Sequence, residues 1–105
     1  MNIAVCEDEE NIRNFLLGSL KEELRCRRLY ANVQTYESGE ALLEAMKHMT
    51  FEIYFLDIFM PGMDGLQLLA KIREQEYDVD VIIVSAANDK DKIKAALRLG
   101  AFDYI

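Results

Sequence analysis

Short apolar runs and amphipathic stretches alternate along the whole chain. The runs predict strands near 2–6, 32–36, 51–56, 80–85 and 102–105, and the stretches between them predict helices near 10–27, 39–48, 65–76 and 89–99. On the first helix Ile12, Phe15, Leu16 and Leu20 form one stripe, at offsets 0, 3, 4 and 8. The second carries Leu42, Ala45, Met46 and Met49, with Ser38 placed to cap it. The third uses Leu68, Leu69 and Ile72, and the fourth Ile93, Ala96 and Leu97. Asn88 would cap the fourth, Asp89, Asp91 and Arg98 follow its dipole, and Gly100 ends it. Methionines at this spacing belong to a core.

Strict β-α alternation implies right-handed crossovers and a parallel sheet with helices on both faces. Ile3–Cys6, Ile53–Leu56 and Val81–Val84 are near-continuous apolar runs, as expected of strands covered on both sides. Residues 31–36 alternate instead, which suits an edge. The expected fold is therefore α/β, a doubly wound five-stranded parallel sheet of order 2-1-3-4-5, the flavodoxin-like order, in one domain over 1–105. Its switch point lies between strands 1 and 3, and ligands of such sheets bind outside the carboxyl ends of the strands there. Glu7, Asp8 and Asp57 fall at that place.

Composition narrows the classes. A chain of 105 residues has room for one core and no second domain. A formal charge of −7 repels a polyanion, so direct binding of nucleic acid is not expected. Arg25, Arg27 and Arg28 read as a solvated helix end whose charge complements the dipole. Cys6 and Cys26 have no metal-type spacing; Cys6 closes an apolar run like a small buried hydrophobe, and Cys26 sits late in a helix. His48 is placed as a helix C-terminal cap rather than a ligand or base. The acids begin too early for a signal peptide, and no run approaches the roughly 18 apolar residues of a membrane span. A reducing cytoplasm is the expected compartment.

Three carboxylates gathered at one sheet edge raise one another's pKa unless a cation sits among them. Hard oxygen ligands of this kind suit Mg²⁺, which takes one or two carboxylates and completes its shell with water and phosphate. Each residue also has a plainer reading. Asp57 alone could be a strand-terminal surface acid, Glu7 part of a helix-start cluster with Glu9 and Glu10, Ser85 a turn hydroxyl, and Tyr104 a core or edge side chain. Their joint position at the carboxyl ends of strands favours a metal-assisted phosphoryl site.

Together Glu7-Asp8, the loop from Asp57 through Met60-Pro61-Gly62 to Asp64-Gly65, Ser85-Ala86 and Gly100-Ala101-Phe102-Asp103-Tyr104 closely resemble the receiver domain of bacterial two-component response regulators. The resemblance covers the whole chain. It implies that Asp57 accepts a phosphoryl group from a phosphohistidine on a sensor histidine kinase. Asp8, Asp57 and the Phe59 backbone carbonyl would hold Mg²⁺, with Glu7 acting partly through water. Ser85 Oγ and the Ala86 N–H would bond the attached phosphoryl, and Tyr104 would be the aromatic switch. The resemblance implies no enzyme beyond turnover of its own phosphoryl group. It also implies an attached output domain, often DNA-binding and serving transcription, of which this chain holds nothing; it leaves pairing of two copies open.

Three departures set further expectations. The family's lysine after the switch aromatic would fall two residues beyond Ile105, and its last helix beyond that. Without that helix, bared apolar surface, lower stability, aggregation or exchange of elements is expected. Glu7 stands where aspartate is usual. Phe59 sits two residues after Asp57, beside the path of attacking water, and should slow hydrolysis. A haloacid-dehalogenase-like phosphatase would need a second aspartate where Phe59 stands. A flavodoxin-like redox binder would need a glycine- and hydroxyl-rich loop where Glu7-Asp8-Glu9-Glu10 stands. A docking module working without phosphorylation is disfavoured by the complete acid set.

Overall fold

Five strands pair in parallel, in the order β2-β1-β3-β4-β5. The computed structural model describes residues 1–75, 78–84 and, as strand backbone, 103–104. The elements are β1 (Asn2–Cys6), α1 (Glu10–Cys26), β2 (Asn32–Tyr36), α2 (Gly39–Met46), β3 (Ile53–Leu56), α3 (Gly65–Gln75), β4 (Asp80–Ile83) and β5 (Asp103–Tyr104). The expected fold and strand order are observed. The anticipated fourth helix, with Ser85 and Ala86 before it, lies outside the described residues.

Differences from the expected elements have local causes. β3 begins at Ile53 rather than at residue 51, because Phe51 turns into the core ahead of the ladder. There its ring meets Tyr36 and Tyr54 edge-on, with centroids 6.0 and 5.5 Å away. Ser38 caps α2 as expected, its Oγ accepting from the Ala41 N–H at 3.1 Å. α3 starts with a reciprocal capping box. The Gln67 N–H donates to Asp64 Oδ1 at 2.9 Å, and the Asp64 N–H to Gln67 Oε1 at 3.0 Å. α1 closes with a 2.9 Å bond from the Leu29 N–H to the Leu24 carbonyl, a Schellman arrangement. Its left-handed residue is Arg28, at φ 54°, where glycine is the usual choice.

Alternation along the strands separates two faces. Ala4 and Cys6 of β1, Tyr54 and Leu56 of β3, and Val81 and Ile83 of β4 join Leu42 of α2 and Leu68, Leu69 and Ile72 of α3 in one buried cluster. Each of the larger side chains there contributes about 1.5–3 kcal/mol by leaving water. Ile3 and Val5 are also buried but stand outside that cluster, on the side where α1 crosses β1 and β2. The stripe expected on α1 is rotated. Ile12 and Phe15 are exposed, and Leu16, Leu17, Leu20 and Leu24 are half-buried. The reason is the register of Leu16, Leu17, Leu20 and Leu24, which recur at helical spacing on the side of α1 that meets β1 and β2.

Candidate functional site

Pairing of Cys6 with Leu56 brings the next residues of β1 and β3 side by side. The Asp57 N–H bonds the Cys6 carbonyl at 3.1 Å, and the Glu7 N–H bonds the Tyr36 carbonyl at 3.0 Å. Two chain ends are thereby carried past the sheet edge together. Glu7, Asp8 and Asp57 each offer a carboxylate oxygen within 4.8 Å of the others. Glu7 is 3% exposed, Asp57 half-buried and Asp8 exposed.

Burial, then a hydrogen bond with Asp57 and its charge, pushes the Glu7 carboxyl up to about 8. Burial also raises Asp57, while its bonds with Glu7 and with the Phe59 N–H, at 3.2 Å, oppose the rise. Without a cation, burial and mutual repulsion therefore favour a proton held between the two carboxyls. Two buried or half-buried acids that hold a proton for lack of positive charge fit a hard divalent cation, whose binding would displace it. Cys6, directly behind Glu7, is pushed up to about 12 by burial first and then by the acids, and so remains an inert thiol. Its Sγ lies 3.7 Å from Met60 Sδ in the core.

Two features of the site were not foreseen. Gly65, the first residue of α3, lies against the chain at Asp57. A Cβ there would sit 2.2 Å from the Asp57 carbonyl oxygen and 2.6 Å from the Ile58 Cα. The Asp64-Gly65 dipeptide signals a turn but not that approach, which exists only once α3 docks. Gly62, at φ +76°, supplies the left-handed turn expected of the loop. The second feature is Arg13, whose Nη1 donates to the carbonyls of Glu7 at 3.0 Å and Asp8 at 3.3 Å. A cation in the first turn of a helix opposes the dipole, and that oddity was its sequence signal.

Of the other expected site residues, Phe59 lies two positions after Asp57 and is 42% exposed. Ser85 and Ala86 lie outside the described residues, as does the Tyr104 side chain; the Tyr104 backbone pairs with Ile83 in the sheet. His48 follows α2, its N–H bonding the Ala45 carbonyl at 3.0 Å. Arg25 and Arg27 pair with Glu22 and Glu23 on the surface of α1. Among the described residues no helix is long and apolar enough to cross a membrane.

Fold and site together define an α/β domain with an acidic crevice at its topological switch point. A family model for the response regulator receiver domain matches residues 3–105, and the chain belongs to that family. It is 45% identical over 73 residues to the probable C4-dicarboxylate response regulator DctR of Halalkalibacterium halodurans, covering 70% of this chain and 32% of that protein. It is 44% identical over 71 residues to the DNA-binding transcriptional regulator NtrC of Escherichia coli, covering 68% of this chain and 15% of that protein. The match thus spans about a third or less of these relatives. Among solved structures it is similar to the response regulator TrrA of Thermotoga maritima in complex with Mg²⁺-BeF. That match has a TM-score of 0.83 and 30% identity, and covers 99% of this chain and 84% of the other. Members of this family are phosphoacceptors of two-component signalling and generally bind Mg²⁺ at an acidic pocket.

Proposed function

We propose that residues 1–105 form one receiver domain that accepts a phosphoryl group on Asp57 from a phosphohistidine of a sensor histidine kinase. The observation that carries this is the convergence of Glu7, Asp8 and Asp57 within 4.8 Å beyond the ends of β1 and β3. An Asp57 carboxylate oxygen attacks phosphorus, the P–N bond breaks, and its electron pair leaves with the imidazole. The product is an acyl phosphate. With a cation among the acids the shared proton is displaced and Asp57 is anionic for that attack. Glu7, Asp8, Asp57 and the Phe59 backbone carbonyl would hold Mg²⁺, which when bound offsets charge on the transferring oxygens. TrrA, solved with Mg²⁺-BeF, supports this assignment by likeness.

Ser85 Oγ and the Ala86 N–H take the attached phosphoryl, and Tyr104 reports it, on the strength of the motif alone. The domain turns over only its own phosphoryl group and controls an output, DNA-binding as in NtrC, from the cytoplasm. Incubation with acetyl phosphate and Mg²⁺, followed by intact-mass measurement, should add one phosphoryl group to wild type and none to Asp57→Asn. Addition that persists in the variant moves the acceptor elsewhere. Phe59 shields the acyl phosphate, so Phe59→Ala should dephosphorylate faster; an unchanged lifetime would refute the shielding.

A further inference from the structure

The loop from β1 to α1 carries two of the three acids, yet α1 has no side-chain cap. Glu9 occupies the cap position and its carboxylate bonds nothing there. The Glu9 N–H instead donates to Glu7 Oε1 at 3.2 Å. The loop carbonyls of Glu7 and Asp8 are held by one group, the Arg13 guanidinium, reaching back from the first turn. Asp8, Glu9 and Glu10 all lie close in sequence, but among the described residues Arg13 enters no ion pair. It is half-buried and spends its donors on main-chain oxygens. That fixes the backbone from which both carboxylates project.

We propose that Arg13 is a positioning residue for the acidic site, clamping the main chain of Glu7 and Asp8 so that both face the cation opposite Asp57. The inference rests on the reading of those three acids as a Mg²⁺ site. Two consequences of the residue oppose each other. Its charge, held close to the acids and half-buried, repels a cation, and salt screens that only in part. Its clamp orients the ligands, and partners that orient metal ligands are commonly worth about 10–100-fold in affinity. With orientation the larger of the two, removing the guanidinium weakens binding.

The test is Mg²⁺ titration of wild type, Arg13→Lys and Arg13→Met in 0.15 M salt, with amide exchange measured in EDTA. Lysine keeps the charge but cannot reproduce the planar guanidinium fork; methionine removes the charge. Both variants should bind Mg²⁺ about tenfold more weakly, Lys less so than Met. Exchange should quicken at Glu9, whose N–H bonds Glu7, while Val5, in β1, stays protected. Equal binding in all three proteins, or tighter binding by Arg13→Met, overturns the clamp while leaving the metal site standing. General loss of protection in both variants overturns it in favour of a purely structural role. Absence of Mg²⁺ binding by wild type removes the metal reading itself, and this role with it.

Discussion

The two faces of the sheet are built differently. On one, Leu42, Leu68, Leu69 and Ile72 meet Tyr54, Leu56, Val81 and Ile83, and every one of these side chains is 0% exposed. On the other, Ile3 and Val5 are buried, but α1 buries none of its 17 residues and Phe15 is 72% exposed. The site draws one side from each. Asp57 follows β3 and is braced by Gly65 of α3, part of the sealed face. Glu7 and Asp8 lead into α1, and hydrogen bonds from Arg13 and Glu9 hold them where apolar contacts do not. The acceptor is thus fixed by close packing, and its acidic partners by directional polar bonds that an ion or a proton can compete with.

The largest test strikes the sealed side. Gly65→Val must displace the Asp57 backbone, since even a Cβ would overlap it. It should destabilise the fold by upward of about 3 kcal/mol. Denaturant unfolding that matches wild type would show that α3 does not brace the acceptor. Leu69→Ala, deep in the same face, should lose about 3 kcal/mol, within the range for buried leucines.

A proton supplies the next test. In the unfolded chain Glu7 has an ordinary carboxyl value near 4.5, and folding raises it to about 8. Between those values the folded state holds more protons, so stability in EDTA falls as pH rises through that window. Mg²⁺ competes with the same proton, and its affinity should climb with pH until about 8. Glu7→Gln should flatten the stability profile; an unflattened profile would assign the proton to another group. The smallest effect is expected on the outer side of α1. Phe15→Ala should shift stability by less than about 0.5 kcal/mol, and a loss as large as that of Leu69→Ala would erase the contrast between the faces.

Much of this was legible beforehand. β1 and β2 lie at the expected residues, the strand order follows from which runs are continuously apolar, and the three acids were placed at the switch point from that order. Less legible was the rotation of α1. Ile12 and Phe15 fit an apolar stripe as well as Leu17 and Leu24 do, and only contact with β1 and β2 selects between the two registers. Phe51 reads as strand by hydropathy, yet ring contacts with Tyr36 and Tyr54 take it into the core before the ladder starts.

Local periodicity and strand alternation, which depend only on near neighbours, determined the described elements, their order and the acids that converge, and the resemblance of the acidic and loop motifs pointed to the family. Tertiary structure alone decided that Glu7 is buried against Asp57 with its carboxyl raised, that Gly65 abuts the Asp57 backbone, and that Arg13 turns back onto two carbonyls. Those are contacts between segments several to dozens of residues apart. Desolvation and close approach have no value until the chain brings such segments together.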